Sequence, residues 1–188
     1  MYKVEKDFIY KGYRCVIIFT DMGWRCGYVG IPLGHQLYKK EFCDHLDIPK
    51  SDLDDEAFGK RGVLSLFSAA LDDDDRIKMD LYFNVHGSLT YSGDNDGTYP
   101  VESNLWWLGF DCGHYGDGRD LDLVEKYWGD DPIIQKRLEI ERENPYDTDY
   151  PVRSMEYVEQ ECMSLVDQII KLTCHGCNVD TRRADEQR

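Results

Sequence analysis

Residues 2–31, YKVEKDFIYKGYRCVIIFTDMGWRCGYVGI, decide the fold of this chain. The stretch is rich in aromatic and β-branched residues, which favour β-strands. Short glycine-containing segments interrupt it at residues 10–12 and 21–23, and glycine is common in tight turns. The pattern therefore predicts three consecutive strands that pair as an antiparallel meander. These strands are expected at residues 2–9, 13–20 and 24–31.

The middle of the chain predicts a helix and further strands. Residues 32–55 look irregular, whereas residues 62–71, GVLSLFSAAL, are mostly apolar and contain two adjacent alanines, which favours a short helix. Residues 79–93 and 104–111 combine aromatic and β-branched residues with flanking turn residues. We therefore predict one or two strands in the first of these segments and one strand in the second.

The last third of the chain predicts helices. Residues 121–128, LDLVEKYW, suit a short helix, and residues 132–144 follow with proline in the first position, where helices tolerate it. In residues 154–172 an apolar side chain recurs every three or four positions, as on the buried face of an amphipathic helix. Ser154 is a suitable N-cap for this last helix.

Together these elements predict an α+β fold, in which an antiparallel sheet with an N-terminal meander is covered by C-terminal helices. The chain has 188 residues, a length that suits one domain with its own hydrophobic core. We place that domain at residues 1–178 and expect residues 179–188 to form a polar, frayed tail.

The cysteines and the N-terminus bear on the cellular compartment. The chain has seven cysteines, and its first residues, MYKVEKDF, lack the apolar segment of a secretory signal. No run approaches the roughly 20 apolar residues that span a membrane. We therefore expect free thiols and a cytoplasmic location. Cys174 and Cys177 have C-x-x-C spacing, but no second pair of ligands lies nearby, and His175-Gly176 suits the end of a helix.

The charge of the chain indicates which partners it favours. There are 22 Lys and Arg residues against 37 Asp and Glu residues, which gives a formal net charge of −15. Such a charge repels nucleic-acid phosphates and anionic membranes, so the favoured partner is a basic protein. The candidate contact residues form two acidic clusters, the first with Asp52, Asp54, Asp55 and Glu56 and the second with Asp72, Asp73, Asp74 and Asp75.

Residues 104–122, NLWWLGFDCGHYGDGRDLD, contain the best candidate for a ligand site. Large apolar side chains lead into a glycine-rich loop, and glycines let the backbone hold several polar groups close together. Histidine and carboxylate side chains can bind a divalent metal ion or act as an acid–base pair. Alternatively, they only hydrogen-bond one another to fix a tight turn. The candidate residues, with a histidine from the preceding strand pair, are His86, Trp106, Trp107, Asp111, His114 and Asp117.

No further motif in the sequence is complete enough to predict a cofactor. The glycines at residues 27–34 are wrongly spaced for a dinucleotide-binding fingerprint or a phosphate-binding loop. Residues 92–103 begin like a calcium loop but end in serine, where such a loop has glutamate. We therefore predict no bound cofactor and no calcium loop.

Three segments resemble an uncharacterised family of small acidic proteins that phages, prophages and mobile elements of Gram-positive and gut bacteria encode. They are GWRCGYVGIPLGH (23–35), VHGSLTYSG (85–93) and WWLGFDCGHYGDGRD (106–120), and the likeness extends to EYVEQECMSLVDQI (156–169). The resemblance implies a setting in which small acidic proteins, such as anti-CRISPR proteins, block a host defence effector. It carries over no catalytic residues.

Two functional hypotheses follow. The first is a binding protein, without enzymatic activity, that inhibits a host defence effector such as a CRISPR nuclease because its acidic loops compete for a basic nucleic-acid groove. The alternative is a binder of a nucleotide-like small molecule or a metal-dependent hydrolase, centred on His86, Asp111, His114 and Asp117.

Overall fold

The N-terminal meander forms as predicted. In the computed structural model, which describes residues 1–52, 63–143 and 150–185, the first three strands pair antiparallel in chain order. Gly12 (φ +88°) and Gly23 (φ +93°) lie in the two turns, in a backbone region that glycine adopts without strain. The strands are β1 (Tyr2–Tyr10), β2 (Tyr13–Thr20) and β3 (Arg25–Ile31).

Of four later strands, two complete the main sheet and two form a small second sheet. They are β4 (His45–Pro49), β5 (Arg76–Lys78), β6 (Tyr91–Gly93) and β7 (Trp106–Asp111). The strand of the tryptophan pair, β7, lies beside β3, and the short strand β6 lies at the edge beyond it. The main sheet is therefore five-stranded and antiparallel, with the order β1-β2-β3-β7-β6. The separate two-stranded sheet is formed by β4 and β5.

Five α-helices accompany the two sheets in the described part of the chain. The helices predicted in the middle and the last third of the sequence are all present. Asp120 caps one of them, since its side chain accepts a hydrogen bond from the Leu123 amide (2.9 Å). Ser154 caps another in the same way, with the Tyr157 amide as donor (3.2 Å). The helices are α1 (Val63–Ala70), α2 (Met79–Tyr82), α3 (Leu121–Trp128), α4 (Pro132–Glu143) and α5 (Met155–Asp185).

Three predictions about local structure are wrong. Residues 32–55, expected to be irregular, contain the strand β4 (His45–Pro49), which pairs with β5 from more than 25 positions later in the chain. Residues 79–82 form the short helix α2 rather than a strand, because an apolar run this short fits either state and contacts from outside it decide. Here the Met79 and Asp80 amides donate to the carbonyls of Asp44 and Phe42. In addition, α5 does not end at residues 175–176 but continues to Asp185, since a single glycine weakens a helix without breaking it.

The hydrophobic core lies on both faces of the main sheet. On one face, the apolar stripe of α5 is buried against β2 and β3, with Cys162 and Leu165 fully enclosed, while α3 and α4 cover Phe19 at the end of the same face. On the other face, the segment that precedes β7 covers Val16 and Trp107. The α+β prediction, with helices over an antiparallel sheet, is therefore confirmed. Within the described residues, none of the helices has the length and apolar character that crossing a membrane requires.

Candidate functional site

Three segments that are distant in sequence meet beyond the last residue of β7. The first is the glycine-rich loop at residues 112–118, and the second is the connection at residues 84–90, between α2 and β6. The third is the segment from Tyr150 into the first turns of α5. Its contact with the glycine-rich loop includes a hydrogen bond from the Gly118 amide to the Pro151 carbonyl (3.0 Å).

Helix α5 fixes the position of the 84–90 connection. The Asn84 amide donates to Oε1 of Gln168 (2.8 Å), and Nε2 of Gln168 donates back to the Asn84 carbonyl (3.1 Å). The His86 amide donates to Oε2 of Glu161 (3.0 Å), whose side chain is almost fully buried. His86 therefore sits on a loop, not on the predicted strand, but the loop is held against the core helix.

Asp117 is the centre of the site. Its side chain is only 2% exposed, and each of its oxygens accepts hydrogen bonds from a different direction. Oδ2 accepts from Nε2 of His86 (2.8 Å) and from the His114 amide (3.1 Å), while Oδ1 accepts from Nε of Arg153 (2.8 Å). Burial disfavours the charged carboxylate, but the hydrogen bonds from His86 and Arg153 outweigh burial and lower the pKa of Asp117 below its ordinary value.

The ionised Asp117 determines how His86 bonds. Because an ionised carboxylate can only accept, Nε2 of His86 is the donor in its hydrogen bond with Asp117. Nδ1 of His86 lies 3.0 Å from the hydroxyl of Tyr157, which can donate to it or accept from it. Burial, together with the nearby Glu161 carboxylate, raises the pKa of the Tyr157 phenol, so that the phenol keeps its proton at neutral pH. Asp117, His86 and Tyr157 thus form one hydrogen-bonded chain.

The second histidine faces this chain. The ring centroids of His114 and His86 are 5.7 Å apart. Nδ1 of His114 is buried, and it lies 3.7 Å from Oδ1 of Asp111 and 3.9 Å from Oδ2 of Asp117. Both distances exceed that of a hydrogen bond, so this nitrogen has no hydrogen-bond partner within the described residues. An unsatisfied buried ring nitrogen beside an ionised carboxylate is well suited to binding a cation.

The three side chains can offer ligands to one metal ion. One ligand atom from each of His86, His114 and Asp117 lies within 4.8 Å of the other two. Asp111 is at the margin of the group, because its Oδ2 accepts from the Thr90 hydroxyl (2.8 Å) and its Oδ1 from the Gly113 amide (3.0 Å).

Other residues of the glycine-rich stretch do not join the site. Cys112 is buried, and burial raises the pKa of its thiol well above the ordinary value, so it is neither a nucleophile nor an available ligand. Trp106 and Trp107 lie four or five positions before Asp111 on β7, about 13–17 Å away along the strand. Both are buried in the core, on opposite faces of the sheet. The structure does not bring the tryptophans, which we predicted as ligand-site residues, to the histidines.

Two residues of the site were not predicted. Arg153 and Tyr157 complete the partners of Asp117 and His86, yet Arg153 lies 36 positions after Asp117 and Tyr157 lies 71 positions after His86. No local pattern marks them. The one available signal was the position of Ser154 as a helix N-cap, which places both residues at the start of α5.

The acidic cluster at residues 72–75 is partly neutralised by neighbouring side chains. Oδ2 of Asp72 lies 2.7 Å from Nε2 of His45 and 3.5 Å from Nζ of Lys78. The carboxylate of Asp74 pairs with the Arg76 guanidinium (2.7 Å). The hydrogen bond with His45 is the main cause that lowers the pKa of Asp72 to about 2.

Three of the remaining acidic candidates are exposed. Asp52, Asp73 and Asp75 are exposed, and they are therefore available to a partner. Asp54, Asp55 and Glu56 lie outside the described residues.

Comparison with known proteins adds no assignment to this geometry. The chain matched no protein-family model, no curated protein and no solved structure.

Proposed function

We propose that the chain binds a divalent transition-metal ion through His86, His114 and Asp117 and uses it to hydrolyse a small-molecule substrate. The observation that carries this proposal is the convergence of one ligand atom from each of the three residues within 4.8 Å. Two histidines and one carboxylate are a common protein ligand set for a catalytic zinc ion, whose fourth position holds water. A bound ion of this kind lowers the pKa of the water and supplies hydroxide at neutral pH.

The surroundings of the three ligands support the proposal. Arg153 occupies Oδ1 of Asp117, so Oδ2 is the oxygen that faces the histidines. A metal ion on Nε2 of His86 would leave the ring proton on Nδ1, where the hydroxyl oxygen of Tyr157 can accept it. Such a second hydrogen bond orients most histidine ligands in metalloproteins. Tetrahedral coordination requires the ligand atoms to approach to about 3.3 Å from one another, which is a small rearrangement of side chains.

Zinc titration of the purified protein tests the proposal. We expect one zinc ion per chain, measured by calorimetry and elemental analysis, and a loss of affinity of more than about 100-fold in His114→Ala. The unfolding free energy of His114→Ala should change by less than about 1 kcal/mol, because Nδ1 of His114 has no hydrogen-bond partner in the described structure.

A matched control is available at the small sheet. His45 also pairs with an aspartate, Asp72 at 2.7 Å, but belongs to no group of three candidate ligands in the described residues. His45→Ala should bind zinc as the unmodified protein does. The proposal is overturned if the unmodified protein binds no zinc or if His114→Ala binds zinc equally well.

A second candidate function is inhibition of a basic host defence effector, such as a CRISPR nuclease, by a phage-type binding protein in the cytoplasm. The net charge of −15 and the exposure of Asp52, Asp73 and Asp75 support it, because exposed carboxylates can compete with nucleic-acid phosphates for a basic groove. The resemblance of the chain to proteins of phages and mobile elements provides the setting. Binding to such an effector should weaken as the salt concentration rises.

A further inference from the structure

We infer that the substrate of the proposed metal site carries a phosphoryl group and that Arg153 binds it. This inference rests on the proposed function, and it names the substrate class for the same site.

The guanidinium of Arg153 is fixed by one nitrogen and leaves two others available. Nε donates to Oδ1 of Asp117 (2.8 Å), and the group lies over the Tyr157 ring, with Cζ 5.1 Å from the ring centroid. The side chain is 28% exposed, so solvent and ligands can reach it. Within the parts of the chain that the structure describes, Nη1 and Nη2 of Arg153 donate no hydrogen bond to protein. Two oriented donors on a held guanidinium match two oxygens of a phosphoryl group.

The same carboxylate connects these donors to the metal ligands. Asp117 turns Oδ1 toward Arg153 and Oδ2 toward His86. A tetrahedral phosphoryl group beside Asp117 could therefore place one oxygen on the metal ion and two oxygens on Arg153. Because this contact is made to the phosphoryl group in the bound substrate as well as in the transition state, its loss should act mainly on substrate binding.

An aromatic pair with one exposed ring joins the two segments that carry this anion site. Tyr115 is 93% exposed, and its ring centroid is 5.6 Å from that of Tyr150. Tyr115 precedes Asp117 on one segment and Tyr150 precedes Arg153 on the other, so the aromatic pair and the ion pair join the same two segments. An exposed ring can stack on a heterocyclic base, which favours a nucleotide or another aromatic phosphate ester.

The proposed reaction is the hydrolysis of a phosphate monoester. The oxygen of water bonds to phosphorus and gives up one proton, the bond from phosphorus to the ester oxygen breaks, and the leaving oxygen takes up that one proton. The products are an alcohol and inorganic phosphate, and no oxidant or reductant is needed.

The test uses p-nitrophenyl phosphate as substrate and inorganic phosphate as ligand of the zinc-loaded protein. We expect Arg153→Met to lose about 10- to 100-fold in zinc affinity, as is usual for a residue behind a ligand, so both proteins are assayed at a zinc concentration that saturates them. Its affinity for inorganic phosphate should fall by more than tenfold, and its KM should rise more than its kcat falls. Arg119→Met is the control, because Arg119 also pairs with a carboxylate (Glu141, 3.2 Å) and lies over an aromatic ring (Trp24).

A further variant and two control measurements distinguish failure of the inference from failure of the proposed function. Tyr115→Ala should lower the affinity for adenosine monophosphate by at least about fivefold. Its affinity for inorganic phosphate should equal that of the unmodified protein. The inference is overturned if zinc-loaded Arg153→Met binds phosphate as the unmodified protein does, or if acetate competes as well as phosphate. If the unmodified protein binds no zinc, the proposed function fails. The inference then fails as well unless the metal-free protein binds phosphate in an Arg153-dependent manner.

Discussion

The ring of His114 lies against the backbone of Gly87, in the space that a β-carbon at residue 87 would need. Gly87 also has a φ of +66°, a conformation that disfavours residues with a β-carbon. The absence of a side chain at residue 87 therefore allows the two candidate histidine ligands, His86 and His114, to approach each other.

Gly87→Ala should displace the His114 ring and lower zinc affinity by at least about tenfold, because the ligand atoms can no longer converge. The positive φ should cost a further 1–2 kcal/mol, roughly, of unfolding free energy. Gly12→Ala separates the two effects, since Gly12 has a φ of +88° and a β-carbon there would meet no atom within 4 Å. It should lose similar stability and keep full zinc affinity. Equal zinc affinities in the two variants would contradict the prediction.

Asp117→Asn should change the acid stability of the metal-free protein. Because the fold lowers the pKa of Asp117 below its ordinary value of 3.8, the ionised carboxylate stabilises the folded state above that value. This stabilisation is lost as the pH falls through the lower pKa of the folded state. We expect the unfolding free energy of the unmodified protein to exceed that of Asp117→Asn by about 2 kcal/mol at pH 5.5. The difference should become progressively smaller below pH 4. Urea unfolding between pH 5.5 and 3 measures the difference, and a constant difference over this range would rule out the coupling.

The exposed acidic residues can be tested apart from the paired ones. If the chain binds a basic effector, the double substitution Asp73→Asn with Asp75→Asn should slow association more than it speeds dissociation, because exposed charges act mainly on the encounter of two proteins. The matched change of Asp72 and Asp74 should slow association less, since these two carboxylates already pair with His45 and Arg76. Association rates at two salt concentrations give the comparison, and identical rates for all three proteins would exclude electrostatic attraction through this cluster.

Trp107→Phe should affect stability and leave the metal site unchanged. Trp107 is fully buried, and its Nε1 donates to the Ser103 hydroxyl (3.0 Å). The loss of that bond and of buried ring area should cost about 1–3 kcal/mol. Zinc affinity of the folded variant should equal that of the unmodified protein. A tenfold loss of zinc affinity would restore Trp107 to the ligand site.

Local sequence patterns were sufficient to predict most of the main elements. The glycine turns and the strand-forming residues of the meander act within a few positions of one another, and so does the N-cap at Ser154. The helix at residues 79–82 could not be predicted in this way. Its bounding hydrogen bonds come from Phe42 and Asp44, more than 30 positions earlier in the chain.

The candidate site was predictable only in part, for the same reason. His114 and Asp117 share one loop, and the glycines around them indicate that the loop turns sharply. The position of Arg153, in contrast, depends on how the segment before α5 runs along that loop, which only the folded chain determines. The pairing of Asp72 with His45 is also a tertiary contact, so an acidic run in sequence overstated the charge that is free at the surface.

Because the segment with His86 is attached to α5, a ligand that binds His86 also stabilises the folded chain. The helix that covers the sheet also holds Asn84 and His86 in place, through Gln168 and Glu161. Any ligand that binds His86 only in this arrangement must therefore favour the folded chain over the unfolded one. A ligand at 100 times its Kd adds about 2.7 kcal/mol to the unfolding free energy. A rise in melting temperature can consequently identify ligands of this protein, metal ions and phosphate esters alike, without a turnover assay.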